Sequence, residues 1–302
     1  MAETRSFAAT ETSIEVKGAK LQTQAFGDPS SPPIILIMGM MASMLWWPDR
    51  FCEALAARQR YVIRYDQRDT GLSTHYPQGE PHYSFSDLAD DAIAILDGYG
   101  LETAHVVGMS MGGAVAQEVV LRHPRRVRTL TLISTSPLGV EGLPSSTKAY
   151  QEHSSSAEAV DWSKLEAIAD FLRRETAMLA GTRHPHDPDA ASALIARDMA
   201  RAPSFASATN HFTLVSEERP ARLHASDIKL PVLAIHGSAD PLFPIGHGEA
   251  FTKVVRNVRL HRIEGGGHEI HERDIDEIVQ AIIDHTARQT TGKPGMTSLS
   301  GR

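Results

Sequence analysis

The stretch "HVVGMSMGGAVAQEVV", residues His105 to Val120, decides how this chain is read. Ahead of Ser110, Ala104-His105-Val106-Val107 is short, rich in β-branched side chains and preceded by the polar pair Glu102-Thr103, the pattern of a buried strand. Behind it, Ala114, Val115, Val119, Val120 and Leu121 recur at helical spacing up to His123-Pro124, where proline discourages continuation. Ser110 therefore falls on a strand-to-helix turn, inside the G-x-S-x-G pattern Gly108-Met109-Ser110-Met111-Gly112. Such a turn is tight enough to strain the serine backbone, and bulk two places away on either side would collide with a neighbouring strand or helix. The hydroxyl then stands above the sheet edge, facing the first N–H groups and the positive end of the helix. A glycine-rich connection with an incidental serine produces the same five letters, so the rest of the chain has to supply the partners of an activated serine.

The 302 residues are enough for one large α/β domain with an insertion. The net charge of −7 is spread over interspersed acidic and basic residues, which leaves no basic stripe for nucleic acid and no polybasic membrane anchor. Fifteen histidines are scattered without an H-E-x-x-H pair, and Cys52 is the single cysteine, so neither a metal site nor a disulfide framework is expected. The opening "MAETRSFAATETSIEV" lacks the apolar core of a secretory signal, and no apolar run is long enough to span a bilayer. A cytoplasmic protein is the resulting expectation. Residues 1–12 and 288–302 read as loose tails by composition.

Ser13 to Val16 and Leu21 to Phe26 flank a Lys17-Gly18 turn as a hairpin. Strand patterns follow at Pro33 to Met38, Arg60 to Tyr65, His105 to Val107, Val127 to Ile133, Val232 to His236 and Arg259 to Ile263. Helical patterns lie between them at Asp49 to Arg58, Ser84 to Tyr99, Met111 to Arg122, Gly248 to Val255 and Asp274 to His285. This alternation predicts a mainly parallel sheet with helices on both faces. It stops between Leu138 and Asp227, where helix patterns at Leu165 to Leu179, Ala190 to Arg201 and Phe205 to Leu214 predict a helical cap. The expected organisation is a core of residues 13–137 and 228–287 with a cap of residues 138–227.

A serine hydroxyl is a weak nucleophile until a base takes its proton, so the turn predicts a histidine and an orienting acid further on. In "IEGGGHEIHE", His268 follows three glycines on a flexible loop, while its rival His271 enters the last helix. His236, ending a strand, reads as a structural histidine. Asp240 in "GSADPLFP" is held by a following proline and has no carboxylate competitor in "STSPLG", the loop after the preceding strand. The order serine, acid, histidine along the chain favours catalysis over a plain Asp-Pro turn. Oxyanion donors are expected from the N–H of Met111, which opens a helix, and from the N–H of Met40, in the turn that Gly39 permits. In "LIMGMMASMLWW", Gly39, Met41, Trp46 and Trp47 are the pocket candidates; Met38, Met40, Met44, Met109 and Met111 either line the same apolar wall or pack the core.

With "PPIILIMGMMASMLWW", "VIRYDQRDTGLS", "AILDGYGLETAHVVGMSMGG", "GSADPLFP" and "GGGHE" in this order, the chain resembles the serine α/β-hydrolases and, within them, the aclacinomycin methylesterase-like branch. The resemblance covers all but the termini and the cap. It implies the α/β-hydrolase fold and cofactor-free carboxylic ester hydrolysis through an acyl-enzyme, with Ser110 as nucleophile, Asp240 as acid, His268 as base, and Met40 and Met111 as oxyanion donors. Asp66, Arg68, Gly71 and Ser73 match a loop signature read as structural. The chain departs from the resemblance at Met38-Gly39, where His-Gly is usual, and at Met40, where the branch often has a smaller residue. The expected partner is a small or medium apolar ester. Carbon-carbon bond hydrolysis or perhydrolysis by the same triad, and a ligand receptor that keeps the fold without turnover, are the competing readings.

Overall fold

A computed structural model describes residues 9–216 and 223–287. The sheet has eight strands: β1 (Thr10–Val16), β2 (Ala19–Phe26), β3 (Pro33–Ile37), β4 (Tyr61–Tyr65), β5 (Ala104–Met109), β6 (Val127–Ile133), β7 (Val232–Gly237) and β8 (Val258–Ile263). Their spatial order is β1-β2-β4-β3-β5-β6-β7-β8, with β1–β2 and β2–β4 antiparallel and every other pair parallel. β3 and β5 are buried at every position, which explains why they read as unbroken apolar runs rather than alternating ones.

Helices cover both faces. On one side α2 (Phe85–Gly98), α3 (Met111–Arg122) and α8 (Gly246–Val254) bury Leu88, Val115, Val119 and Phe251 against the strands. On the other, α1 (Asp49–Ala57) and α9 (Ile275–Ala287) bury Phe51, Leu55, Ile278 and Ile282. α2 starts with a reciprocal capping box between Ser84 and Asp87. Cys52 is fully buried, and burial pushes its thiol up to about 12, so it behaves as a small core side chain.

Between β6 and β7 the chain forms α4 (Lys148–Ser155), α5 (Leu165–Leu179), α6 (Pro188–Arg201) and α7 (Asn210–Ser216). Three differences from the sequence expectations stand out. α4 was not anticipated, because in KAYQEHSS only Tyr150 is buried and no apolar stripe announces the helix. The single helix expected over Phe205 to Leu214 is a 3-10 turn, Phe205–Thr209, followed by α7. Thr10 to Thr12 pair with Ala25 to Thr23 in β1, so that end of the expected loose tail is ordered strand. Residues 1–8, 217–222 and 288–302, which include the remainder of both expected tails, lie outside the described residues.

The turn from β5 into α3 depends on close backbone packing. A Cβ on Gly112 would lie 2.2 Å from the Ile37 carbonyl oxygen, and one on Gly108 would lie 2.3 Å from the Gly112 carbonyl oxygen. Both contacts are with backbone, which cannot rotate away. Gly112→Ala is therefore expected to lower unfolding stability by about 1–3 kcal/mol, the usual cost of overpacking, in urea denaturation. A loss below about 0.5 kcal/mol, the range of neutral surface changes, would show that α3 is free to move off β3.

Candidate active site

Ser110 ends β5 and precedes α3 with φ 54° and ψ −123°, a strained conformation for a residue with a side chain. Its backbone is held from both ends: its N–H donates to the Ile133 carbonyl at 3.0 Å, and its carbonyl accepts from Thr135 Oγ1 at 2.8 Å. The side chain makes no helix-capping bond, so the hydroxyl is left available at the sheet edge. A Cβ on Gly39, in the loop after β3, would lie 3.3 Å from Ser110 Cβ and 3.8 Å from its Oγ. The loop expected to carry one oxyanion donor thus lies against the serine. Met111 is the first residue of α3, so its N–H has no acceptor within that helix.

Asp240 and His268 come from the loops after β7 and β8. Asp240 Oδ2 accepts from His268 Nδ1 at 2.8 Å, while its Oδ1 accepts from the amides of Leu242 and Phe243 at 2.9 and 2.8 Å. Both residues are buried. Burial pushes the Asp240 carboxyl upward, but the adjoining His268, by charge and hydrogen bond, together with His236 and the Phe243 amide, leaves it below its ordinary 3.8. With Nδ1–H given to Asp240, the other ring nitrogen of His268 is the one with a free lone pair. The His268 amide donates to the Leu179 carbonyl at 2.8 Å, fixing the glycine-rich loop against the end of α5. Asp240 and His268 are directly hydrogen-bonded, and Gly39 leaves little room for a further carbon beside Ser110; the two pairs share the C-terminal edge of the parallel strands.

The competing histidines have other partners. His271 Nδ1 accepts from the Arg273 amide at 3.2 Å, and its ring stacks on His184 with centroids 4.4 Å apart. His236 bonds the Phe243 carbonyl at 2.7 Å, and burial lowers its pKa. His247 bridges Ser136 and the Pro144 carbonyl, and His261 bonds Glu277.

Among the pocket candidates, Met41 is buried in a cluster with Ile168, Phe171, Leu172, Ile195 and Phe205, against which Met40 and Trp46 also pack. Trp46 Nε1 donates to Asp198 of α6 at 2.6 Å, and burial pushes that carboxyl up to about 6 in spite of its bonds to Ser43 and Trp46. The expectation for Trp47 is corrected. It is fully buried, stacks on Phe51 at 5.3 Å and belongs to the α1/α9 core layer. Met38 and Met109 belong to that layer as well, and Met111 to the opposite one.

The "DQRDTGLS" loop carries a network of polar contacts. Asp66 accepts from the amides of Met44 and Leu72 and from Arg201 of α6. Arg68 forms a buried two-point pair with Asp91 at 2.7 and 2.8 Å. Gln67 Nε2 donates to the Met38 carbonyl at 2.8 Å. Sequence spacing also missed a cluster of His184, His271 and Asp274, whose ligating atoms lie within 4.8 Å of one another, a donor set a cation could use. There Asp274 Oδ1 is already shared by His184 at 2.8 Å and Arg183 at 3.3 Å.

Residues 32–274 match the alpha/beta hydrolase fold family. The chain is 31% identical over 289 residues to rhodomycin D methylesterase DauP of Streptomyces sp. (strain C5), covering 89% of this chain and 96% of that protein. It is 30% identical over the same span to rhodomycin D methylesterase DnrP of Streptomyces peucetius, with the same coverage. Among solved structures, the fold is similar to an enol-lactonase from Burkholderia xenovorans LB400, with TM-score 0.72, 20% identity, and 91% of this chain and 100% of the other covered. It is also similar to an esterase from Exiguobacterium antarcticum, with TM-score 0.75, 18% identity, and 92% and 100% covered. The matched span contains Ser110, Asp240 and His268 with every strand from β3 to β8, and the chain belongs to the alpha/beta hydrolase fold family.

Proposed function

We propose that the protein is a carboxylic ester hydrolase in which Ser110 is the nucleophile, His268 the general base and Asp240 the acid that orients it. The observation that carries this reading is the Asp240–His268 bond at the sheet edge where Ser110 holds its strained turn against Gly39. Two relatives of about the same length are methylesterases, which supports ester chemistry. Ser110 Oγ attacks the acyl carbon while His268 takes its proton, and Asp240 stabilises the imidazolium that forms. The amides of Met40 and Met111 receive the oxyanion. His268 then protonates the departing alcohol, activates a water that attacks the acyl-enzyme, and regenerates Ser110 as the carboxylic acid leaves. No step calls for a cofactor.

In this reading residues 138–227 are the cap on a core of residues 13–137 and 228–287, and the substrate is an apolar ester of small or medium size. Met40, Met41 and Trp46 of the loop meet Phe171, Leu172 and Phe205 of the insertion in one apolar cluster. From the composition we infer a cytoplasmic location; separately, no helix among the described residues is long and apolar enough to cross a membrane.

A fluorophosphonate is expected to label Ser110 alone and abolish hydrolysis of p-nitrophenyl butyrate, with Ser110→Ala neither labelled nor active. Labelling at another residue, read by peptide mass spectrometry, would reject the nucleophile.

Asp240→Asn is expected to keep the fold but lose kcat by about 10³-fold or more, because the imidazole is left in the wrong tautomer. The same variant has a pH signature. The folded carboxyl titrates below its unfolded value of 3.8, so the ionised form stabilises the fold above that pH. That contribution is lost as pH falls through the lower, folded value. The stability gap between wild type and Asp240→Asn, from urea midpoints, is expected to be open at pH 6 and to close below about pH 4. A gap that widens on acidification would contradict the assignment.

Each added methylene of the acyl chain is expected to contribute about 0.8 kcal/mol, near fourfold in kcat/KM, until the pocket fills. Met40→Gly should move the optimum toward bulkier esters. An unmoved optimum would show that Met40 does not bound the acyl pocket.

A further inference from the structure

We propose that His211, on α7 of the helical insertion, is a positioning residue for the oxyanion amide of Met40. The inference rests on the serine-hydrolase reading and extends it to a side chain 170 positions from the residue it bonds. The geometry is a clamp on three successive peptide groups. Met38 contributes the carbonyl of the first, and that carbonyl accepts from Gln67 Nε2 at 2.8 Å. The third contains the Met41 N–H, which donates to His211 Nδ1 at 3.0 Å. The peptide between them carries the Met40 N–H. With both flanking planes tied, its direction is set by the φ and ψ of Gly39 and Met40 alone.

Met41 has φ +63°, a left-handed conformation that an unbranched side chain tolerates only when its surroundings impose it. His211 is that imposition. It is fully buried, and its second nitrogen donates to the Arg68 carbonyl at 2.9 Å. Accepting at Nδ1 and donating at Nε2 requires the neutral Nε2–H tautomer, and burial lowers the pKa in keeping with it. The Arg68 carbonyl is itself anchored, since the Arg68 guanidinium is paired with Asp91. The clamp therefore runs from the buried Arg68–Asp91 pair through an imidazole on the insertion to the loop beside Ser110.

A histidine that only glued the insertion to the core would leave the chemistry alone once folded; one that aims an oxyanion donor would change kcat and transition-state affinity without changing KM. Two conservative variants separate the nitrogens. His211→Asn keeps an acceptor near the Nδ1 position and gives up the Arg68 bond, whereas His211→Gln keeps a donor near Nε2 and gives up Met41. In the full chain, with folding checked by circular dichroism and thermal melting, His211→Gln is expected to lose about tenfold to a hundredfold in kcat on p-nitrophenyl butyrate, within the range set by small misplacement and by full loss of one oxyanion donor. KM should stay within about threefold, and inhibition by phenylboronic acid, which builds a tetrahedral adduct on an active serine, should weaken by the same factor as kcat. His211→Asn should keep most of both. Folded Gln and Asn variants with equal kcat and equal boronate affinity, or a loss confined to KM, would overturn the positioning role. A wild-type protein that boronic acid does not inhibit would instead overturn the serine mechanism, and the clamp with it.

Discussion

The contact on which the site depends is the approach of α3 to the end of β3, where a single added carbon on Gly112 would meet the Ile37 and Met38 carbonyl oxygens at 2.2 and 2.3 Å. Because no side chain intervenes, the helix that opens at Met111 and the loop that leaves Ile37 share one small volume. Ser110 lies in it, forced to positive φ by the tightness of the turn. The amide of Met111 follows directly from the turn. The loop carrying Met40 is held close by the same packing, since a Cβ added to Gly39 would come within 3.3 Å of the serine Cβ. Widening the helix–strand spacing by one methyl group would separate Ser110 from the loop that follows β3.

The other half of the site is held electrostatically rather than by packing. Asp240 accepts three hydrogen bonds, two from its own loop and one from His268, with His236 3.6 Å away. A buried carboxylate is tolerated only when its lone pairs are satisfied, and the Pro241 turn supplies amides where they are needed. His236 contributes indirectly: by donating to the Phe243 carbonyl it fixes the segment whose amide bonds Asp240. His268 thus has one hydrogen-bonded orientation, with its Nδ1 held on Asp240.

What the sequence disclosed follows from locality. The turn at Ser110, the Asp-Pro loop and the glycine run before His268 each declare themselves within a few residues, and the parallel order of the strands follows from alternation with helices. Where a residue's meaning depends on which way a loop turns, the sequence was silent. Trp46 and Trp47 are neighbours of the same type, yet one reaches Asp198 on the insertion and the other stacks on Phe51 in the core. No periodicity distinguishes them, because a 3-10 turn, Met44–Trp46, ends between them. α4 lacks an apolar stripe, and the His184, His271 and Asp274 cluster joins segments nearly ninety positions apart. Long-range polar contacts of this kind leave no short-range pattern to read.

The insertion bears on the loop beside Ser110 by more than apolar contact. Asp198 holds the Trp46 indole, Arg201 pairs with the Asp66 that caps the Met44 amide, and Asn210 bonds Asp69 and the Pro77 carbonyl. These are buried or half-buried polar bonds, costly to leave unmade, so the insertion cannot lift as a rigid lid without breaking several together. Movement of the insertion is therefore left to parts that do not carry these bonds. The apolar cluster of Phe171, Leu172 and Phe205 against Met41 meets that condition, since its contacts are non-directional and side chains there can repack. The same segment in this way combines a stiff polar hinge, next to the loop that follows β3, with a softer apolar wall.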